Sequence, residues 1–125
     1  MGRKAVTSDK VAPPVAPFSH AVRSGKTVYL SGTVGQDPVT GKLVEGGVAA
    51  QTEQTFRNIG AVLEAAKKTF SDVIKVNVFL TDMKDFSGMN VVYEKQFDKP
   101  YPARTTVAVV ALPLGAAVEI ELIAR

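Results

Sequence analysis

The stretch PYPARTTVAVVALPLGAAVEIEL, Pro100 to Leu122, carries the strongest pattern in the chain. It reads as two strands separated by a loop at Leu112 to Ala116, where Pro113 and Gly115 break any regular run. Strand side chains alternate between faces. On the first strand Thr105, Val107 and Val109 share one face, and Arg104, Thr106, Ala108 and Val110 the other. On the second strand Val118, Ile120 and Leu122 form an apolar face, with Glu119, Glu121 and Ile123 opposite. One face therefore suits a core. The other mixes an arginine and two glutamates with apolar residues, and chemistry is expected there. A hairpin with its loop centred near Leu114 sets Val110 near Val118 and Arg104 near Ala124. Glu119 then lies about five residues from Arg104's partner, roughly 15 Å away. One chain does not bring both side chains onto one small molecule, whereas two chains could.

Working outward, the second helical pattern precedes this stretch and stops at Lys99-Pro100, with Phe86, Met89, Tyr93 and Phe97 as its apolar stripe. Asp82 or Asp85 can cap it. Val73 to Thr81 is rich in β-branched residues and reads as a buried strand. Before that, Thr52, Thr55, Phe56, Ile59, Val62, Leu63 and Ala66 recur at helical spacing, behind Gly46-Gly47. Lys67 and Lys68 suit the negative end of that helix. Strands are expected from Phe18 to Val22 and from Thr27 to Val34, joined at Ser24-Gly25, with a short one at Leu43-Val44. Ser31-Gly32 inside the second marks a bulge or a close approach to the backbone. Residues 1–16 are expected as a loose arm, because Pro13, Pro14 and Pro17 block a helix. Residues 17–125 form one domain of order ββ(β)αβαββ. Its two helices cover one face of a mixed sheet. The other face, expected to show Ala108, Val110 and Ile123, calls for a partner, and a homo-oligomer packing sheet on sheet is the sharper expectation.

Composition prunes the chemistry. The 125 residues are 46% hydrophobic and 22% charged, within the globular range. With no cysteine and one histidine, thiol nucleophiles and the common zinc sets are excluded. No phosphate-binding glycine loop is present. The net charge of +3 is scattered, so no dedicated nucleic-acid surface is expected. No apolar run is long enough for a membrane span, and no membrane partner is expected. The lack of cysteine fits a reducing compartment, and the cytoplasm is the expected location, with the mitochondrion as alternative. Met1-Gly2 begins a myristoylation-like start, but Val6 stands where that motif needs Ser or Thr. A serine triad would have to use His20, which reads better as an ordinary strand residue. There remain Arg104, Glu119, Glu121, Thr106, Ser31, Asn90 and backbone donors. Arginine's planar fork matches a carboxylate, against a surface ion pair as the plainer reading. A partly desolvated glutamate can move a proton, against a solvated carboxylate, which is expected for one of Glu119 and Glu121. Asn90 reads otherwise as a solvent-facing helix residue.

Pro102-Ala103-Arg104-Thr105-Thr106-Val107 resembles the Pro-Ala-Arg-Ser/Thr-x-Val motif of the reactive-intermediate deaminase (RidA/YjgF) family. Leu112-Pro113, Val118-Glu119-Ile120-Glu121, Pro17 to Ala21, Tyr29 to Gly32, Val78 to Asp82 and Met89-Asn90-x-x-Tyr93 look like further blocks of that family, in order. The resemblance runs from about Ala12 to the C-terminus. It implies an α+β, chorismate-mutase-like fold in a homotrimer, with the sheets forming a central barrel and sites between subunits. The implied activity is hydrolysis of 2-imino acids such as 2-iminobutanoate and 2-iminopropanoate to 2-oxo acids and ammonia, with no metal or cofactor. It assigns Arg104 to the substrate carboxylate and Glu119 to water or its proton. Phe18, Ser31, Gly32, Asn90 and Thr106 line the cleft. Phe18 stands where many members have tyrosine, and Thr106 where some have cysteine. Two other classes stay open, an endoribonuclease or translation inhibitor, and a non-catalytic chaperone-like ligand-binding protein. Arg104→Ala separates them from the deaminase.

Overall fold

The computed structural model describes residues 2–125. Its strands are β1 (Lys4–Val6), β2 (Ala21–Ser24), β3 (Thr27–Thr33), β4 (Val73–Leu80), β5 (Ala103–Ala108) and β6 (Val118–Ala124). They make one mixed sheet in the order β1-β2-β3-β6-β4-β5. Only β4 and β5 pair in parallel. The helices α1 (Gly47–Ala65) and α2 (Phe86–Tyr93) pack their apolar stripes on one face of that sheet. No helix among the described residues is long and apolar enough to cross a membrane.

The core forms where the periodicities place it. On α1 the expected stripe is buried, with Ile59 at 0% exposure and Leu63 at 1%. Each such side chain contributes about 1.5–3 kcal/mol on burial. The helix ends as Lys67 turns into the left-handed region at φ 60 and Lys68 N–H donates to Leu63 O, 2.8 Å away. Lys67 and Lys68 therefore stand just beyond the helix. On α2, Met89 and Tyr93 are buried, and Phe97 follows on a short 3-10 turn, packed against Tyr93 and Phe56. Asp82 accepts from Lys84 N–H at the 3-10 turn that leads into α2.

The hairpin expected between the last two strands does not form. β4 lies between them, with Val76 opposite both Arg104 on β5 and Leu122 on β6. The most apolar alternation in the chain, Val118, Ile120, Leu122 and Ala124, occupies the middle of the sheet. The segment 109–117 is long enough to pass over one intervening strand, a span of roughly 10 Å. This pairing also reverses the expected faces of β5. Arg104, Thr106 and Ala108 lie on the helix-covered side in register with Val76, Val78 and Leu80, and Thr105 and Val107 lie on the open side. Val110 falls beyond β5 and is fully exposed. The open face is made by Tyr29, Ile123, Phe79 and Val107 with Lys75, Asn77, Thr105, Glu119 and Glu121.

Three smaller corrections concern the N-terminal half. The expected loose arm contains β1, which pairs with β2 and tucks in Val6. Its prolines begin only at Pro13, so nothing in Lys4–Val6 opposes a strand. Met1, the first residue of that arm, lies outside the described residues. The strand expected from Phe18 starts at Ala21, since Phe18 N–H turns back to Ala16 O and Ser19 O accepts from the Ser31 hydroxyl instead of entering a ladder. Leu43 makes a single bridge to Gln36 rather than a strand.

Candidate active site

The residues in question fall into two groups on opposite faces of the sheet. The first is built around Arg104. The register on β5 aims its side chain under α2, where Phe86, Asn90 and Tyr93 share a helical face. Arg104 Nη1 donates to Asn90 Oδ1 over 2.7 Å. Its guanidinium lies 4.5 Å from the Tyr93 ring centre and 5.5 Å from that of Phe86. It pairs with no carboxylate among the described residues. The plain surface ion pair is therefore not what holds it. A clamped, planar fork with most of its N–H groups unspent suits a carboxylate in two parallel bonds. Arg104, Asn90 and Tyr93 line a cavity of about 360 Å³ together with Tyr101, Pro102 and Glu94. Thr106 lies two residues along β5 on the same face, and its buried hydroxyl has no hydrogen-bond partner. Tyr93's hydroxyl is likewise unpartnered. Burial pushes that phenol above its ordinary range, and the charge of Arg104 offsets part of the shift.

The second group surrounds Glu119. The β3–β6 register slips between Leu30 and Thr33, which is the irregularity Ser31-Gly32 foretells. A Cβ added at Gly32 would sit 2.7 Å from Glu119 Oε2, so the missing side chain makes the space for the carboxylate. Burial raises the Glu119 carboxyl above the ordinary range, and Glu121 beyond it on the same face raises it further. Glu121 is occupied with Asn77, whose Nδ2 donates to it over 3.0 Å. Of the two glutamates, Glu121 is the one with a side-chain hydrogen bond among the described residues. Ser31 Oγ donates to Ser19 O at 2.6 Å. Phe18, Ser31, Gly32 and Glu119 line a cavity of about 600 Å³. The segment from Val11 to Ala16 also lines it, and His20 and Asn58 reach it.

The two groups do not meet within one chain. On β4, Val76 stands opposite Arg104 and Phe79 opposite Glu119. Three residues and two strand spacings separate them by roughly 14 Å, and their side chains leave opposite faces. Sequence reasoning brought Arg104, Asn90, Thr106, Phe18, Ser31, Gly32 and Glu119 forward, which the structure gathers into these two groups, but left Tyr93 as mere core. Its position one turn beyond Asn90 was the available signal. It read His20 as an ordinary strand residue and passed over Asn58, for which no local pattern stands out.

A family model described as Endoribonuclease L-PSP matches residues 9–125. A Bos taurus protein named 2-iminobutanoate/2-iminopropanoate deaminase is 45% identical over 122 residues, covering 98% of this chain and 89% of the relative. The crystal structure of RidA from the Antarctic bacterium Psychrobacter is 48% identical, with a TM-score of 0.93 and 98% of each chain covered. E. coli TdcF, solved with bound serine, is 34% identical, with a TM-score of 0.91 and 97% of each chain covered. With one family's model spanning nearly the whole chain, and relatives this similar over nearly their full length, the chain belongs to the reactive-intermediate deaminase (RidA/YjgF) family.

Proposed function

We propose that this protein hydrolyses small 2-imino acids, 2-iminobutanoate and 2-iminopropanoate among them, in clefts between the subunits of a homotrimer and without a cofactor. The observation that carries the reading is the division of the site. An arginine fork with no carboxylate partner and a partly desolvated glutamate open from opposite faces of one sheet, so a neighbouring copy has to complete each cleft. The names borne by close relatives support the substrate class. The serine held by TdcF is a small α-substituted carboxylate of similar size.

In such a cleft Arg104 of one subunit takes the substrate carboxylate in two hydrogen bonds. Glu119 of its neighbour accepts a proton from water as the oxygen bonds to C2 of the imine. The resulting carbinolamine carries hydroxyl and amine on one carbon. Proton transfer to nitrogen and loss of ammonia leave the 2-oxo acid, so one water is consumed per imine. Asn90 steadies the arginine, Thr106 stands beside it, and Ser31, Gly32 and Phe18 shape the side that holds the water. Orientation and one acid–base group suffice for a reaction that also proceeds in water. RNA cleavage is less well served, because the only histidine already spends both ring nitrogens on backbone groups.

The test is semicarbazide trapping of imine released by a threonine dehydratase. Adding the protein should reduce the trapped imine, and Arg104→Ala should lose at least about 100-fold in kcat/KM while remaining folded and assembled. Unchanged imine lifetime with the wild-type protein would remove this reading.

A further inference from the structure

We propose that His20 is a positioning residue, held as the neutral Nε2–H tautomer, that clasps the segment from Ser8 to Phe18 and so fixes the wall of the Glu119 cavity. The functional half of this inference rests on that cavity being part of the deaminase site. The structural half does not.

The tautomer follows from the partners. His20 Nδ1 lies 3.2 Å from the Ser8 backbone nitrogen, and an N–H can only donate. Nδ1 must therefore present its lone pair. Nε2 lies 2.9 Å from Ala12 O, and a carbonyl can only accept. Nε2 must therefore carry the proton. One ring thus joins two backbone groups of the N-terminal segment to the residue just ahead of β2.

At its start the segment is also held by Val11, which packs against the core, and by buried Ser8 just after β1, but beyond Val11 it has few other holds. Pro13, Pro14 and Pro17 have no N–H to offer. Val15 is 95% exposed and Phe18 51%, so packing holds that part weakly. Phe18 N–H bonds only back to Ala16 O. The ion pair from Lys10 to Glu64 is exposed on both sides, a kind of contact that contributes little. At the far end Ser31 Oγ fastens Ser19 O. Beside the core packing of Val11, the imidazole is the side chain that ties the backbone at the near end of a strap whose residues from Val11 to Ala16 line the cavity. Phe18, at the end of that strap, carries a ring that borders Glu119's chamber. Loosening the strap should weaken the hold on substrate and leave the arginine and glutamate in place.

Three measurements on the full-length protein test this. Ring 15N shifts at pH 8 should show His20 as a single neutral form with the proton on Nε2. An Nδ1–H form, or a mixture of both, overturns the proposal. Hydrogen exchange should show the Ser8 amide exchanging about tenfold or more faster in His20→Leu than in wild type. Equal rates overturn it. In turnover, His20→Leu should raise KM roughly three- to tenfold with kcat within about twofold. His20→Gln, which offers an acceptor and a donor on one planar group, should recover most of both losses. A KM unchanged in His20→Leu, or a fall in kcat alone, overturns the positioning role. Absence of turnover in the wild-type protein removes the proposed function, and the shift and exchange measurements still decide the clasp. If His20→Leu does not fold, the wild-type tautomer decides it.

Discussion

Glu119 keeps its proton to higher pH than an ordinary carboxylate, and this has a direction in the rate. Its carboxyl is raised above the ordinary carboxylate range by burial and then by Glu121. A group that accepts a proton from water must first be ionised, so a raised value moves the ascending limb of the pH profile upward. In wild type, kcat should therefore rise through a pH above the range of an ordinary carboxylate. In Glu119→Gln that limb should vanish, with kcat lower by about 100-fold or more. A limb that persists in the variant assigns the proton transfer to another group. Tyr93 offers a second test, because its ring and its hydroxyl do different things. The hydroxyl is buried without a partner, whereas the ring lies against Arg104. Tyr93→Phe should hold or raise stability by up to about 1 kcal/mol and keep most activity. Tyr93→Leu should lose about tenfold in kcat/KM as the cation loses its aromatic support. Thermal melts and steady-state kinetics of the two variants separate these effects. Arg104 stood out in the sequence by its motif, while strand alternation within the expected hairpin put it on the wrong face. Tyr93 did not stand out, because the spacing that puts it on the arginine is the same spacing that puts it in the core.

Two glycines flank the end of β3, and what faces each sets the cost of filling it. At Gly32 an added Cβ meets the flexible end of Glu119, with Oε2 at 2.7 Å. Gly32→Ala should therefore fold with a loss of less than about 1 kcal/mol and yet lose tenfold or more in activity, because the carboxylate must swing away. At Gly35 the added atom meets the backbone of α1, with Gln51 O at 2.7 Å and its Cα at 2.8 Å. Gly35→Ala should cost about 1–3 kcal/mol, because a helix cannot yield as a side chain can. Denaturant melts paired with kinetics of the two variants show whether the costs divide in this way. The same region shows where sequence reading reaches its limit. The Ser31-Gly32 bulge was visible because a glycine breaks an otherwise regular strand. The contacts that dock α1 were not, since Asn58 bonds Val34 O and Gln36 O across more than twenty residues. The order of the last strands failed for a similar reason. Alternation says which residues share a face, but not whether a third strand enters between two others. Here β4, earlier in the chain, takes that place and moves Arg104 to the other side of the sheet.

At the scale of the molecule, the open sheet face and the divided site make one argument. The face carries Tyr29 and Val107, both more than 40% exposed, together with Phe79 and Ile123. An apolar area of that kind calls for a cover. On the function proposed above, a further copy of this chain would be the cover that also completes the chemistry, bringing its Arg104 group to another chain's Glu119 group. Complementation tests this directly. Arg104→Ala and Glu119→Gln are each expected to be inactive alone, since every cleft then lacks one partner. When the two are unfolded together at equal amounts and refolded, subunits mix at random in a ring. A cleft then works only where a chain with an intact Arg104 stands next to one with an intact Glu119, in that order. About one cleft in four meets this condition, so activity should return to roughly a quarter of the wild-type value. The same variants refolded separately and then combined should stay inactive for as long as subunits do not exchange. If arginine and glutamate served a single site within each chain, no mixture would recover activity. The return of activity on co-refolding alone is thus the measurement that distinguishes a site shared between chains from one held within a chain.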